Sequence, residues 1–576
     1  MTRLLRYAEP YFWLILAAVA LLFGQAMCDL ALPDFMSDIV NEGIANGDTN
    51  TIIGIGSKMI LISLAGGALS ISVGYLASRV GAGIGQQIRL DLFDKVESFS
   101  NVEFDKFSTS SLITRTTNDV TQVQTLIIMM IRLIFYAPIM GVGGIIHAVN
   151  NSASMSWIIV LAIIVLVGII ATLFSFALPK FKIIQTLVDR LNQVVRENLS
   201  GMLVTRAFNT QAFEEERFDK ENKTLTDTNL FVNRTMAAMM PMMMLLMNLI
   251  TVLIVWVGSY QVSAFKIDVG QMMAYMQYVM QIIMAFLMMS MMFIMIPRSS
   301  VSAVRIADVL ETEPQIKNRL DAVPFKSSKG ILKFEHVSFR YPGAEEDVLH
   351  DIDFTASPGQ TTAFIGSTGS GKSTVANLIP RFYDVTQGKI TIDDVDIRDM
   401  ELHSLRSQLG YVPQKSVLFS GTIDSNLRYA DKDASQEEIL SGAHIAQAME
   451  FIDSRPEGFD TPISQGGSNV SGGQKQRLSI ARALVKKPQI YIFDDSFSAL
   501  DFKTDSALRS ALKKETGHST VILIAQRIST IMNAEQIMVL EAGQIVGKGT
   551  HEELMKACTV YREIALSQLS KEELNE

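Results

Sequence analysis

The residues best suited to chemistry form the glycine-rich stretch GSTGSGKST at positions 366–374. It follows the β-branched run TTAFI and precedes the helix-like run VANLIPRFY, the setting required by the phosphate-binding pattern GxxxxGK[ST]. Glycines let backbone N–H groups turn toward phosphate oxygens, and a helix N-terminus adds partial positive charge. Lys372 would reach the β and γ phosphates, and the Ser373 hydroxyl would ligate Mg²⁺. The predicted phosphate-binding residues are Gly366, Ser367, Thr368, Gly369, Ser370, Gly371, Lys372, Ser373 and Thr374.

Two carboxylates and a second glycine-rich turn lie further along the chain. The apolar run QIYIF ends in Asp494 and Asp495, where a carboxylate at the C-terminal edge of a parallel sheet would hold Mg²⁺. Before them, in NVSGGQKQRLSIARAL, Ser471, Gly472 and Gly473 precede a helix whose N-terminus would bind a second anion. One nucleotide in one compact domain does not need two such sites. This turn is therefore predicted to serve a nucleotide held by another subunit.

Composition excludes several classes of protein. The 576 residues are 48% hydrophobic and 19% charged, which is unusually apolar for a soluble enzyme of this length. A net charge of -9 gives no basic excess, so a nucleic-acid partner is not expected. The two cysteines, Cys28 and Cys558, lie in opposite halves and predict neither a disulfide framework nor a cysteine-based metal site.

Six apolar runs can each cross a hydrocarbon core of about 30 Å, because each has roughly 20 residues. All lie before residue 300, centred on residues 11–32, 59–76, 127–148, 157–178, 239–257 and 272–296. The first run lacks a cleavage site and is predicted to be a retained span. Lys and Arg concentrate in the second and fourth connections and beyond the outer ends of the first and last runs. Both termini and these two connections are therefore predicted to be cytoplasmic.

The sequence divides into an apolar part and an α/β part. The two inner connections carry apolar residues at helical spacing, which predicts helices that continue well into the cytoplasm. From about residue 331, short β-branched runs alternate with helical patterns and Gly-rich turns, as in α/β domains. We expect a six-span all-α transmembrane domain at 1–310, a linker at 311–330 and an α/β nucleotide-binding domain at 331–576.

Together these motifs resemble an ATP-binding cassette exporter half-transporter. The stretches FDKFSTSSLITRTTNDV and RENLSGMLVTRAF resemble the regions around that family's two coupling helices. The resemblance implies that ATP and Mg²⁺ are the cofactors and that Tyr341 stacks on adenine. It implies that Gln414 senses Mg²⁺ beside Ser373 and Asp494, and that SALD, ending in Asp501, crosses between two cassettes. It also implies that the turn formed by Ser471, Gly472, Gly473 and Gln474 contacts the partner's ATP.

Two positions depart from the family pattern. The family usually places a glutamate base after the magnesium aspartate, and here it is Asp495, shorter by one C–C bond of about 1.5 Å. The family's histidine some thirty residues later is replaced by Gln526, which cannot carry the imidazole's switchable charge. The complete signature turn beside these weakened positions resembles the degenerate-site subunit of bacterial heterodimeric multidrug exporters.

This pattern predicts a subunit that exports amphipathic hydrophobic compounds from a bacterial-type cell membrane, with its cassette in the cytoplasm. Its partner would be a homologous half-transporter with Glu and His at the matching positions and an altered signature. Its other partners would be the lipid bilayer and an amphipathic small molecule. The alternatives are a homodimeric ATP-gated channel or sensor, and a lipid or peptide exporter. An importer is disfavoured because this family's importers usually keep the two parts on separate chains.

The membrane half holds the candidate substrate contacts. Of 31 methionines, 17 lie between Met236 and Met295, including a series spaced by four on one helix face. That face is interpreted either as lipid-facing or helix-packing surface, or as a compliant wall of a substrate cavity. Ionisable residues within spans suggest function, so Asp29 and Asp34 are candidate cation contacts. Arg132, at the inner end of the third span, is expected to snorkel or form an ion pair.

Overall fold

The computed structural model describes residues 2–325 and 329–568. It divides into two compact units, each formed from two stretches of chain. The first unit contains Met1–Glu97 and Ser110–Glu311, and the second contains Ser98–Thr109 and Thr312–Glu576.

The described chain before residue 312 is mostly helical. The helices before residue 312 are α1 Phe12–Asp38, α2 Thr49–Glu97, α3 Asn101–Phe107, α4 Thr109–Thr114, α5 Val120–Asn151, α6 Ser156–Ser200, α7 Met202–Ala207, α8 Gln211–Ala237, α9 Met239–Ser263 and α10 Val269–Glu311. Turns of π-helix at Ile39–Ile44 and Arg115–Asp119 follow α1 and precede α5.

The described residues contain six helical segments that are long and apolar enough to cross a membrane. They are Arg6–Ile44, Thr49–Glu97, Thr109–Asn151, Ala153–Ser200, Gln211–Ser263 and Val269–Ser290. Most are far longer than the roughly 20 residues that a bilayer requires. The prediction of six spans with long helical extensions is confirmed.

Two buried tyrosines of α10 tie this helix to its neighbours. The Tyr275 hydroxyl donates to the Met155 carbonyl at 2.7 Å, and the Tyr278 hydroxyl donates to the Leu30 carbonyl of α1 at 2.9 Å. Both side chains are fully buried, and a buried phenol requires such a partner. A Cβ at Gly144 would lie 2.9 Å from Cγ1 of Ile282, so this glycine lets α5 approach α10 closely.

Two main sheets form the second unit. A six-stranded sheet has the order β12-β11-β3-β10-β9-β6, in which only the edge strand β12 is antiparallel to its neighbour. A four-stranded antiparallel sheet has the order β2-β1-β4-β5, and β7 pairs with β8. The strands are β1 Leu332–Phe339, β2 Leu349–Ala356, β3 Thr361–Gly366, β4 Gln387–Ile392, β5 Val395–Asp396, β6 Leu409–Val412, β7 Gly421–Thr422, β8 Pro462–Ile463, β9 Ile490–Asp494, β10 Thr520–Ile524, β11 Gln536–Glu541 and β12 Gln544–Gly549.

Helices also lie between and after the strands of this part of the chain. They are α11 Lys372–Leu378, α12 Leu402–Ser407, α13 Ile423–Leu427, α14 Gln436–Ile445, α15 Met449–Asp453, α16 Gly472–Val485, α17 Phe502–Glu515, α18 Ile528–Ile531, α19 His551–Ala557 and α20 Thr559–Gln568. Every residue of β9 and β10 is buried, as expected for central strands of a parallel sheet covered on both faces. The predicted α/β domain is confirmed, and its parallel strands end at one edge, where the site lies.

The short helix α3 belongs to the second unit although it comes from the amino-terminal half of the chain. Its Glu103 is only 3% exposed. Oε2 of Glu103 accepts from the Ser100 backbone N–H at 2.8 Å, and Oε1 accepts from the Gln315 N–H at 3.1 Å. Val102 packs against the core that contains the antiparallel sheet. One buried carboxylate therefore joins α3 to the chain that enters the second unit at Thr312.

Candidate functional site

The loop between β3 and α11 has a backbone that requires glycine. Gly369 and Gly371 have φ of 86° and 98°, in the left-handed region that favours glycine. A Cβ at Gly371 would lie 2.6 Å from Cδ2 of Leu349. Both the dihedral angle and the space therefore exclude a larger residue at the start of α11.

The Lys372 amine is held by its own loop. Nζ donates to the Gly366 carbonyl at 2.8 Å, to the Ser367 carbonyl at 2.7 Å and to Oγ of Ser370 at 3.3 Å. Burial lowers the pKa of Lys372, and the nearby Asp495 and Asp494 carboxylates oppose that shift. The amine is thus positioned by carbonyls that phosphate oxygens could replace.

Ser373 and Asp494 come together at the ends of two different elements. Oγ of Ser373, in the first turn of α11, donates to Oδ1 of Asp494, the last residue of β9, at 3.0 Å. Asp494 is only 4% exposed, and burial raises the pKa of its carboxyl. An alcohol oxygen and a carboxylate oxygen at this distance fit the oxygen ligands that Mg²⁺ prefers.

Asp495 accepts hydrogen bonds from both glutamines singled out by sequence. Its Oδ2 accepts from Nε2 of Gln526 at 2.9 Å and from Nε2 of Gln414 at 3.2 Å. Asp495 has φ of 46°, a left-handed conformation that is uncommon for a residue other than glycine. Burial raises the pKa of its carboxyl, while the Gln414 hydrogen bond lowers it. The two departures from the family pattern are therefore in direct contact.

A cavity of about 300 Å³ opens at this edge of the sheet. Its lining comprises Val348, Thr368, Gly369, Gly371, Lys372, Ser373, Thr374, Gln414 and Gln526. Tyr341 stands near it, with its hydroxyl 3.1 Å from Oγ1 of Thr374 and its ring edge-on to Tyr383 at 5.2 Å between centroids. The structure thus brings the phosphate loop, both glutamines and the two aspartates to one place.

The signature turn forms the N-terminus of α16. Oγ of Ser471 accepts from the Gln474 backbone N–H at 3.3 Å, and Oε1 of Gln474 accepts from the Ser471 N–H at 2.9 Å. Ser471 and Gly472 are exposed, and a Cβ at Gly473 would lie 3.0 Å from the Ala499 carbonyl oxygen. Among the described residues that line the Lys372 cavity, none comes from this turn.

The SALD loop is attached to the signature helix. Oε1 of Gln476 in α16 accepts from the Ala499 backbone N–H at 3.1 Å. Asp501 ends the loop by capping α17, since its Oδ1 accepts from the Thr504 N–H at 3.0 Å. Asp501 is exposed and, like the signature turn, is absent from the described lining of the cavity.

Gln568, in the last turn of α20, holds the segment that carries Gln526. Its Nε2 donates to the Gln526 carbonyl at 2.8 Å, and its Oε1 accepts from the Ile528 N–H at 2.8 Å. Sequence reasoning missed this residue because no motif surrounds it. Gln568 and Gln526 are 42 residues apart in sequence. Their contact can therefore be recognised only once the position of α20 in the fold is known.

The fold and this site define a membrane protein with an ATP-binding cassette, and comparison with known proteins agrees. Residues 14–286 match the family model described as "ABC transporter transmembrane region", and residues 349–498 match "ABC transporter". The chain belongs to the ABC transporter family. It is a multi-pass ABC exporter half-transporter and an ATPase coupled to transport.

Two relatives and one solved structure illustrate the match. An "Uncharacterized ABC transporter ATP-binding protein" of Mycobacterium tuberculosis is 39% identical over 98% of this chain and 97% of its own length. An "ATP-dependent lipid A-core flippase" of Pseudomonas aeruginosa is 32% identical over 96% and 93%, respectively. "Structure of a bacterial Atm1-family ABC exporter with ATP bound" superposes with a TM-score of 0.79 at 25% identity, covering 98% of both chains.

Proposed function

We propose that this chain is one subunit of a heterodimeric exporter and that its own nucleotide site hydrolyses ATP slowly. The observation that carries this proposal is that Oδ2 of Asp495 accepts amide hydrogen bonds from both Gln526 and Gln414. Two amide donors on one carboxylate oxygen occupy the lone pairs that would otherwise accept a proton from the attacking water. The side chain is also one bond of about 1.5 Å shorter than glutamate, and misplacement of that size can lower a rate about a hundredfold.

The rest of the site retains the groups that bind nucleotide. Lys372 would exchange the Gly366 and Ser367 carbonyls for the β and γ phosphates, and Tyr341 would stack on adenine. Ser373, Asp494 and Gln414 would hold Mg²⁺, which supplies charge neutralisation at the phosphates. Since Nε2 of Gln414 donates to Asp495, its Oε1 would be the metal ligand. The site would therefore bind ATP well while hydrolysing it poorly.

The signature turn would complete the partner's site. Ser471 and Gly472 are exposed, and the capping interaction with Gln474 keeps the N-terminus of α16 ordered. That terminus offers backbone N–H groups and partial positive charge to a phosphate. Hydrolysis at the partner's Glu- and His-containing site would then use residues 471–474 and Asp501 of this chain.

The cargo would be an amphipathic, multidrug-like compound taken from the cytoplasm or the inner leaflet, with the cassette on the cytoplasmic side of a bacterial-type cell membrane. Met276, Met280 and Met288 are half-buried on α10, where flexible thioethers could repack around different ligands. A lipid is the second candidate, because a relative at 32% identity is named a lipid A-core flippase. A peptide exporter and a homodimeric ATP-gated channel or sensor remain the alternatives.

Co-purification tests the proposal. The chain is produced alone and together with a candidate partner half-transporter, and each preparation is assayed for ATP hydrolysis and dye export from vesicles. We expect the pair to be active and the lone chain to bind ATP with little hydrolysis. A stable dimer of the lone chain with vigorous ATPase activity would overturn the heterodimer and its degenerate site.

A further inference from the structure

A cavity of about 470 Å³ lies among α1, α2, α5 and α10 of the first unit. Its wall is mostly apolar and includes Leu22, Val73 and Met288. Three polar residues interrupt that wall, namely Gln25 of α1 and Arg132 and Tyr136 of α5. The volume suits a ligand whose larger part is apolar, since small-molecule sites are typically about 300–1,000 Å³ with a few placed polar groups.

Arg132 lacks an internal counter-ion in the part of the chain that the structure describes. The structure shows neither an ion pair nor a hydrogen bond between its side chain and other described residues. A guanidinium remains charged at any physiological pH, and a charged residue within a membrane span is expensive and usually functional. The expected ion pair of Arg132 is thus absent among the described residues, which leaves snorkelling or a ligand.

The two carboxylates of the first span are already engaged. Oδ2 of Asp29 accepts from the Tyr136 hydroxyl at 2.7 Å. Oδ2 of Asp34 lies 3.1 Å from Nδ1 of His147, and Oδ1 accepts from Nδ2 of Asn151 at 3.2 Å. Gln25 and Arg132 line the cavity. Unlike these two carboxylates, their side chains have no hydrogen-bond or ion-pair partner among the described residues. Arg132 is the only charged side chain among the described residues that line the cavity.

We propose that this cavity binds an anionic amphiphile, with Arg132 contacting a carboxylate, sulfonate or phosphate head group. Gln25 would donate to the same head group, and the apolar wall and Met288 would enclose the hydrophobic part. Arginine suits this task because its planar fork matches carboxylate and phosphate oxygens. The inference rests on the proposed export of amphipathic compounds and restricts the preferred cargo to those with an anionic head group.

Two probes with the same dodecyl chain and dye test the inference. One probe has a phosphate head group and the other a trimethylammonium head group. Binding is measured by fluorescence anisotropy to the co-purified pair in nanodiscs of phosphatidylcholine. We expect the phosphate probe to bind at least about tenfold more tightly, the scale of one charge-assisted hydrogen bond.

Variants separate binding from structure. Arg132→Ala should lose that preference, Arg132→Lys should keep part of it, and Arg132→Glu should reverse it in favour of the trimethylammonium probe. Arg79→Ala, on the exposed side of α2, is the matched control and should change neither affinity. Equal binding of both probes, or a phosphate preference that survives Arg132→Glu, would overturn the inference.

Two further measurements keep the proposals distinct. ATP-driven export of a chemically diverse dye panel tests the exporter itself. Export without a preference for anions defeats only the Arg132 inference, whereas a pair that exports nothing defeats the proposed function. Repeating the titration in nanodiscs rich in phosphatidylglycerol identifies the source of the ligand. Competition there supports a lipid head group, and unchanged affinity supports a non-lipid amphiphile at the same arginine.

Discussion

The side-chain amide of Gln526 donates to Oδ2 of Asp495 at 2.9 Å, and the amide of Gln414 donates to the same oxygen at 3.2 Å. The two positions that depart from the family pattern are therefore hydrogen-bonded to each other, and Gln414 is bonded to the same oxygen of Asp495. A change at either position alters the hydrogen bonding of the other, so their effects on hydrolysis should not be additive.

Asp495→Glu should raise the ATPase activity of this chain's own site by about tenfold to a hundredfold. The longer side chain would carry the carboxylate toward the attacking water, and misplacement by about 1 Å is worth up to a hundredfold. The measurement is single-turnover hydrolysis in the co-purified pair, with the partner's glutamate changed to glutamine. Asp453→Glu, at the exposed end of α15, is the control. An unchanged rate would show that Asp495 is not the residue beside the water.

Ser471→Ala should reduce steady-state ATPase of the pair roughly tenfold while leaving ATP binding by this chain intact. Ser471 is not among the described residues that line this chain's cavity, so its hydroxyl would act on nucleotide held by the partner. Photo-crosslinking of 8-azido-ATP to each subunit separates the two effects. A loss of labelling confined to this chain would contradict the division of roles.

Asp494→Asn should raise the thermal unfolding temperature of the nucleotide-free protein at pH 7.5. Burial raises the pKa of this carboxyl, so folding disfavours its ionised form. The ionised carboxylate therefore lowers the free energy of unfolding, and this loss grows as pH rises through the raised pKa. The difference between the variant and the parent should therefore shrink toward acidic pH. Scanning fluorimetry with and without Mg·ATP checks both this gain and the expected loss of Mg²⁺-dependent stabilisation.

Asp501→Asn is the control with the opposite sign. Hydrogen bonds from Thr504 lower the pKa of Asp501, so its ionised form is favoured by folding and its neutralisation should not raise the unfolding temperature. If Asp501→Asn raised the unfolding temperature as much as Asp494→Asn does, burial of Asp494 would not explain the gain.

Gln568→Ala should raise hydrolysis at this chain's own site several-fold, because releasing the segment that carries Gln526 removes one of the two amide donors from Oδ2 of Asp495. Each lost hydrogen bond is worth about 1 kcal/mol. Gln568→Glu should be intermediate, since it can still accept from the Ile528 N–H but cannot donate to the Gln526 carbonyl. Gln544→Ala, on the exposed edge strand β12, is the control. The positioning role predicts a rise in kcat with little change in KM for ATP. A change in KM alone would contradict it.

Glu103→Ala should weaken the coupling of hydrolysis to transport. The substitution leaves the Gln315 N–H and the Ser100 cap without their acceptor, and a buried unsatisfied donor costs about 1–3 kcal/mol. Glu103→Gln keeps one acceptor oxygen and loses the other, so it should be intermediate between Glu103→Ala and the parent. The measurement is ATP consumed per dye molecule exported in proteoliposomes. An unchanged ratio for both variants would show that this carboxylate serves stability alone.

Sequence predicted those parts of the site that one local pattern specifies. The phosphate loop is a strand, a turn and a helix in succession, and Asp494 and Asp495 end a run that is apolar throughout. The contacts of Asp495 with Gln414 and Gln526 join elements 81 and 31 residues apart, so the motifs named the residues without giving their hydrogen bonds. Gln568 and the Glu103–Gln315 contact carry no local signal. Likewise, hydropathy located α10 but gave no sign that Tyr275 and Tyr278 would donate to the Met155 and Leu30 carbonyls.

The placement of α3 in the second unit has a consequence for biosynthesis. Residues 98–109 leave the ribosome before α5 to α10, whereas the rest of their folded unit begins at Thr312. Domains usually fold in the order of synthesis, but this unit cannot be completed until the intervening membrane helices have been made. Glu103 accepts a hydrogen bond from the Gln315 N–H, and Gln315 is synthesised only after those helices. Completion of the second unit therefore follows the synthesis of every span.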